Sequence, residues 1–479
     1  MTNKKGFLQN SAWGLASNIL QNLFLSVFFV IIVNKLSLQD YSNYLIANSL
    51  YQAVASFSAL GLGQWFIRQL NEETDFGFFL NKFLKIQILA GLFFYAFYLG
   101  FIYLLYDDNT VRILGILIGV NIVFDNIIYG VKHLNIAQFE QNKTFIVLII
   151  EAVAKLLLGL VIYIYPYTVI EMTVVLVILR IITLNLFLKI STSKLASIQS
   201  IIRLKISYSD FKKLVIANWP FIIVGSVAVI YWRVGSVLIS KFLSVTDVTL
   251  YEIGYKFFSL AQVIPVILSA SVFPELLKAY NEKGLEEFKK MYKLFYKVYL
   301  LFGFLVFSFM YSFANLLINL AFKDSLSDAG FYTQEMFLTM LVFPTALLQA
   351  NVLIVLKLEK TDMWFNVISF IVNFLLAFFG LMYFKSLSII NLSILVSFVV
   401  FHLLQDSIMV KYKISSVKHV FWSYLLMVLA WLTYTQLSVY INQYLLFSVF
   451  WAVVIGVFVL TDKQILVFIK QKLGTKTDS

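Results

Sequence analysis

The sequence contains no cysteine and only three histidines, His133, His402 and His419. The first absence excludes disulfides, thiolate zinc sites and cysteine nucleophiles. The second leaves histidines too dispersed along the chain to suggest a metal cluster. Charge is scarce as well. Only 13% of the 479 residues are charged, against about a quarter in a soluble globular chain. Apolar residues take their place: 61% of the chain is hydrophobic and mean hydropathy is +0.87. Such a chain needs a bilayer to dissolve it.

A membrane-spanning helix needs about 20 apolar residues. Fourteen runs meet that requirement: 11–33, 42–66, 86–106, 113–131, 144–165, 172–188, 214–240, 248–274, 298–322, 336–356, 363–384, 386–410, 420–440 and 444–461. The first follows Lys4 and Lys5 and shows no clear cleavage site, so it reads as an uncleaved transmembrane helix. Of the 37 Lys and Arg, 28 fall in loops on the side of the N-terminus. Five fall on the other side (Lys35, Arg112, Lys241, Lys323 and Lys385), and four lie within runs. This bias predicts cytoplasmic N- and C-termini, and it explains a net charge of +12 without nucleic acid. The largest basic loops, 189–213 and 275–297, then face the cytoplasm. The second is expected to extend a helix and carry a Glu286–Lys290 pair at i,i+4, with anionic lipid head groups as its partner.

One short pattern occurs twice. Leu36–Tyr44 and Leu243–Tyr251 share the frame L-S-x-x-D-x-x-x-Y, offset by 207 residues. Both copies fall in outer loops, between runs 1 and 2 and between runs 7 and 8. A displacement of six helices preserves orientation, which is the signature of a parallel repeat in transporters. Locally, Ser37-x-x-Asp40 and Ser244-x-x-Asp247 have capping-box spacing, suited to the starts of runs 2 and 8. The pattern predicts an all-α integral membrane protein of about fourteen transmembrane helices, in two six-helix lobes with two further C-terminal helices. The expected boundaries are residues 1–200, 201–412 and 413–479.

The first copy sits in KLSLQDYSNYLIANSLYQAVASFSALGLGQWFIRQ, which resembles the first hairpin of bacterial polysaccharide flippases. Gly61, Gly63 and Arg68 fit the expected ending of that signature. The segment from Trp219 to Leu276 likewise resembles spans 7 and 8 of Wzx-type O-antigen and capsule-unit flippases. These belong to the multidrug/oligosaccharidyl-lipid/polysaccharide (MOP) exporter superfamily. Members often carry Asp just after the Arg of span 7, where this chain has Val234 and Gly235, so no role is carried over for that Asp. The resemblance implies two lobes around a central cavity and no bond-making chemistry. It also implies a sugar repeat unit on undecaprenyl pyrophosphate as substrate, moved across the bacterial inner membrane by alternating access. Expected partners are this lipid-linked oligosaccharide, membrane lipid, a polysaccharide polymerase and a chain-length regulator. No cofactor is implied beyond Na⁺ or H⁺ as a coupling ion.

A pyrophosphate head group needs a wet cavity bearing cations, and charges within spans are expensive unless paired or used. Arg233 and Lys256 are candidate substrate ligands. At 1.5 Å per residue both lie roughly 12–14 Å below the outer surface, where Arg233 offers a fork and Lys256 a point charge. Glu252, one turn before Lys256, is an alternative partner for it. Lys155 and Arg180 are the corresponding cations of the first lobe, with Glu151 four residues before Lys155. Asp125 and Glu151 are candidates for ion coupling, although Asp125 equally suits Arg180 or Lys155 as a salt-bridge partner. Asn18, Gln21, Asn22, Asn48 and Gln52 are candidate polar residues of the cavity. Asp406 reads as interfacial, and Pro220, Pro265 and Pro344 as helix kinks. A cation-coupled multidrug exporter of the same superfamily remains the closest alternative. A membrane polysaccharide polymerase is disfavoured, because the longest outer loop, near Lys323–Glu335, has only one basic residue.

Overall fold

The computed structural model describes residues 4–70, 75–191 and 207–461, with 201, 203 and 204. It is all helical, with no strand among the described residues. The first half comprises α1 (Lys4–Lys35), α2 (Leu38–Ser58), α3 (Gly63–Leu70), α4 (Phe76–Leu105), α5 (Asn109–Gly119), α6 (Asn121–Ala137), α7 (Gln141–Ile164) and α8 (Val169–Ser191). The second comprises α9 (Tyr208–Phe242), α10 (Asp247–Lys278), α11 (Leu285–Ala321), α12 (Ala329–Phe337), α13 (Phe343–Val355), α14 (Glu359–Phe384) and α15 (Ser388–Lys411). Two more helices follow, α16 (Val417–Leu437) and α17 (Gln443–Thr461).

Each of the fourteen apolar runs corresponds to helix. Twelve helical stretches among the described residues are long and apolar enough to cross a membrane by themselves. The other two runs are helical but fall short for different reasons. Run 2 divides between α2 and α3 at a turn, and in run 14 only Gln443–Gly456 is a shorter apolar helix among the described residues. The fourth span of each half is broken near its middle, between α5 and α6 and between α12 and α13. Pro344 stands at the start of α13, where a missing amide hydrogen costs nothing, so it opens a helix rather than kinking one. The outer loop expected at 323–335 is short, because α12 occupies its second part.

Both capping boxes form. The Asp40 amide donates to Ser37 Oγ at 3.1 Å, and the Asp247 amide to Ser244 Oγ at 3.2 Å. The Ser244 amide reciprocates to Asp247 Oδ2 at 3.0 Å. The helical extension at 275–297 is present, interrupted by Gly284 at φ +83°. Its ion pairs differ from expectation: Glu286 binds Lys289 at 2.7 Å and Glu287 binds Lys290 at 3.5 Å, both at i,i+3. Residues 192–200, 202, 205 and 206 of the basic loop at 189–213, and the tail beyond 461, lie outside the described residues.

The apolar core shows how the halves meet. At the end carrying the two L-S-x-x-D loops (the motif end), one core unites both halves: Ile32, Tyr41 and Ile46 with Val248, Tyr251 and Ile318. At the opposite end the core separates into two. One, around Phe66, Phe83 and Phe187, belongs to the first half with the start of α9. The other, around Tyr292, Phe304 and Val352, belongs to the second half with α16 and α17. The bundle is therefore sealed between halves at the motif end and parted at the other.

One seam stays closed along its length. Helix α9 lies against α2, with Ser226 Oγ donating to the Ser56 carbonyl at 3.0 Å. Where α2 ends, Leu60 and Gly61 adopt φ of +55° and +57°. A Cβ on Gly61 would lie 2.6 Å from the Phe221 carbonyl carbon, so only glycine fits the turn and the contact together.

Candidate functional site

A cavity of about 530 Å³ lies beneath the motif-end seal. Helix α2 supplies one wall as a stripe at helical spacing: Tyr41, Tyr44, Leu45, Asn48, Tyr51 and Gln52. Helix α1 contributes Gln21 and Asn22, α6 Asn121 and Asp125, α7 Glu151 and Lys155, and α8 Arg180. Arg233 of α9 and Glu252, Tyr255 and Lys256 of α10 close it from the second half. A further cavity shares Tyr51, Gln52 and Asp125 and continues to Ala59 and Gly61, away from the motif end.

The first-half charges form one network. Arg180 Nη1 donates to Glu151 Oε1 and Oε2 at 2.9 and 2.8 Å, and Arg180 Nε to Asp125 Oδ1 at 2.5 Å. Lys155 Nζ lies 2.7 Å from Glu151 Oε1, as i,i+4 spacing requires. The Tyr51 hydroxyl donates to the other oxygen of Asp125. The Glu151 side chain is 1% exposed, so this carboxylate is dry and fully committed. Lys132 lies within electrostatic reach of both Arg180 and Glu151.

The second-half charges are arranged differently. Arg233 Nη1 donates to both oxygens of Glu252, at 3.1 and 3.0 Å. Glu252 Oε1 also accepts from Ser236 Oγ at 2.6 Å and from Ser49 Oγ, across the interface between halves, at 3.1 Å. The Arg233 guanidinium stacks over Tyr255, 4.7 Å from its ring centre. Glu252 is therefore the partner of Arg233 rather than of Lys256. Lys256 has no ion pair or hydrogen bond from its ammonium among the described residues. The lining thus holds four cations and three carboxylates, a surplus of one positive charge.

Ten of the eleven candidate residues meet around this cavity. Asn18 does not: it stands one turn nearer the parted end, is exposed, and is not part of the lining. Three of the four candidate substrate cations carry carboxylate partners: Lys155 and Arg180 hold ones already weighed for them, and Arg233 holds the one weighed for Lys256. Burying an ion without one is too costly in a dry bundle. Sequence reasoning missed the tyrosines Tyr44, Tyr51 and Tyr255, although the 3–4 spacing on α2 is a readable signal. It also missed Ser49 and Ser236, whose hydroxyls matter only because Glu252 is folded against them. The side chain of Arg68 lies outside the described residues. Asp406 is not interfacial but buried against His402. Among the described residues no group of three or more potential ligands could hold a metal ion.

Residues 7–280 match the family model described as polysaccharide biosynthesis protein. No curated protein matches the chain in sequence. Among solved structures, the chain is similar to an inward-facing multidrug resistance MATE family transporter of the MOP superfamily. That likeness has a TM-score of 0.68 at 12% identity, covering 85% of this chain and 100% of that one. It is also similar to an outward-facing MATE transporter of the same superfamily (TM-score 0.56, 12% identity, covering 89% and 96%). A third similar structure is a MOP superfamily transporter from Pyrococcus furiosus, whose binding pocket is described as having reversed polarity (TM-score 0.51, 10% identity, covering 88% and 93%). At such identities these likenesses establish the fold, and the family match covers more than half the sequence. With its helices parted at one end over a charged cavity, this chain has the fold of those MOP superfamily transporters and belongs to the polysaccharide biosynthesis protein family.

Proposed function

We propose that the protein is a flippase for an undecaprenyl-pyrophosphate-linked oligosaccharide repeat unit of O-antigen, capsule or a similar polymer. It moves the head group from the cytoplasmic to the outer leaflet of the bacterial inner membrane by alternating access, without making or breaking bonds. The observation that carries this reading is Lys256, a cation without an ion-pair partner among the described residues, beside the donor-rich Arg233 in a cavity with surplus positive charge. An anionic head group supplies what that cavity lacks. Arg233 uses one nitrogen on Glu252, which leaves Nε and Nη2 as further donors for phosphate oxygens. Gln21, Asn22, Asn48 and Gln52 are placed to hydrogen-bond sugar hydroxyls.

In this reading the parted end faces the cytoplasm, in keeping with the positive charge on that side. Residues 1–200 and 201–412 act as the two moving lobes, and 413–479 as an appendage. A cationic drug is the competing cargo, favoured by Tyr51, Tyr255 and the three carboxylates of the lining. Each of those carboxylates already holds a cation, so the anion is the better fit.

Deletion of the gene tests the proposal. Loss of surface polysaccharide, restored by the wild-type gene but not by Lys256→Gln at equal membrane levels, is the expected result. Unchanged polysaccharide with new sensitivity to cationic drugs would transfer the protein to the multidrug reading.

A further inference from the structure

The second half holds a buried titratable cluster that the central cavity does not use. His402 and Asp406 stand one turn apart on α15, with side chains 0% and 6% exposed and Nδ1 3.2 Å from Oδ2. His402 Nδ1 also lies 2.5 Å from the Tyr424 hydroxyl of α16. Gln349 of α13 donates to Asp406 Oδ1 at 2.7 Å and to the Tyr292 hydroxyl of α11 at 3.1 Å. Four helices therefore meet at this pair. The other side of the imidazole is bare: His402 Nε2 is buried without a hydrogen-bond partner among the described residues.

A cavity approaches it from the parted end. A cavity of about 460 Å³ opens between the start of α11 and the start of α16, lined by Glu286, Lys289, Lys293, Lys297, Lys413 and His419. His419 Nε2 likewise has no hydrogen-bond partner among the described residues. The ring of Tyr296 contacts both histidines, its centre 5.2 Å from that of His419 and 6.3 Å from that of His402. His402 lies nine residues from the end of α15, roughly 13 Å inside.

We propose that the His402–Asp406 pair is a proton-binding site reached through His419, and that it carries the coupling proton of transport. The second clause rests on the flippase reading; proton binding does not. A proton arriving at His402 Nε2 occupies a vacant lone pair, and the imidazolium formed is balanced by the Asp406 carboxylate. At Asp125 or Glu151 it would have to displace Arg180 or Lys155. The charged and titratable groups around the pair favour the deeper site. Lys289, Lys293, Lys297 and Lys413 make the mouth positive around Glu286, which disfavours a cation there. Deeper in, Tyr292, Tyr296 and Tyr424 are neutral hydroxyls, and Asp362 of α14 approaches through Gln405, whose amide is 3.4 Å from it. A proton therefore passes His419 and rests at His402. Protonation turns Nε2 into a donor, while Gln349 Oε1 and Gln405 Oε1 are buried acceptors without partners. A packing of α13 and α15 that joins them is then favoured over the present one, which links proton binding to helix movement.

The presence of only three histidines makes this measurable in the intact protein. With ¹⁵N-histidine label in nanodiscs, His133→Gln, His402→Gln and His419→Gln identify the three signals. On acidification His402 is expected to convert from a neutral tautomer to imidazolium, and Asp406→Asn to lose that conversion while the protein stays folded. His419→Gln should slow exchange of the His402 proton with water. A His402 signal that does not change at any pH where the protein is folded, or one that converts identically in Asp406→Asn, would overturn the site. Unchanged exchange in His419→Gln would overturn the route. None of these readouts needs a substrate, so the proton site and the flippase reading fail separately. Asp406→Asn should also lose polysaccharide complementation in the deletion strain, and full complementation would overturn the coupling role.

Discussion

Ser42 Oγ and Thr249 Oγ1 lie 2.7 Å apart, both side chains fully buried, at the seal between the two halves. They are separated by 207 residues, the same offset as the repeated motif, and each is its seventh position. A residue touches its own repeat equivalent only where a two-fold relation between halves passes through the contact. The duplicated loop is thus more than a pair of caps: it places a hydroxyl from each half on the axis of closure.

Because the chain has no native cysteine, this contact can be tested by cross-linking without background. Ser42→Cys with Thr249→Cys is expected to form a disulfide on mild oxidation, since the two oxygens already approach within reach of sulfurs that bond at about 2.05 Å. A shift in non-reducing gel mobility reports it. On the flippase reading, polysaccharide export should stop on oxidation and resume on reduction, because the seal must open for release.

Lys256 and Arg233 should separate binding from folding. Lys256→Gln removes a cation with no ion-pair partner among the described residues, so the expected outcome is normal membrane level and thermal stability with lost complementation. Arg233→Ala leaves Glu252 buried and uncompensated, which costs about 3–5 kcal/mol. Its level and melting temperature should fall, and the double variant Arg233→Met with Glu252→Gln should recover stability without recovering export. Thermal unfolding in detergent decides this.

Gly61→Ala should be among the more damaging single-methyl additions in the first half. The left-handed backbone alone costs roughly 1–2 kcal/mol with a side chain, and the added carbon meets the Phe221 backbone. A lowered melting temperature is expected. Gly225→Ala, where a Cβ meets nothing within 4 Å, serves as the control and should melt like wild type.

The polar residues of α1 divide by one turn. Gln21→Ala and Asn22→Ala alter the cavity wall and should reduce complementation, whereas Asn18→Ala should leave it intact. Equal loss in all three would mean that the cavity reaches further along α1 than its lining indicates.

Residue chemistry alone determined the all-helical, membrane-spanning class. Apolar runs of membrane length, sparse charge and a frame displaced by six helices are one-dimensional properties, and local physics turns each into structure. The capping boxes of Ser37 and Ser244 and the Glu151–Lys155 pair were legible for the same reason: their partners lie within one helical turn. The partners of Arg180 and Arg233 were not, because Asp125, Glu151 and Glu252 reach them from other helices, and packing chose Arg233 over Lys256 for Glu252. The same holds for His402 and Asp406. In the chain they read as a dispersed histidine and an interfacial acid, and only the convergence of α11, α13, α15 and α16 excludes water from them. Tertiary structure decided which charges are satisfied, since that depends on distances between helices that no local pattern encodes.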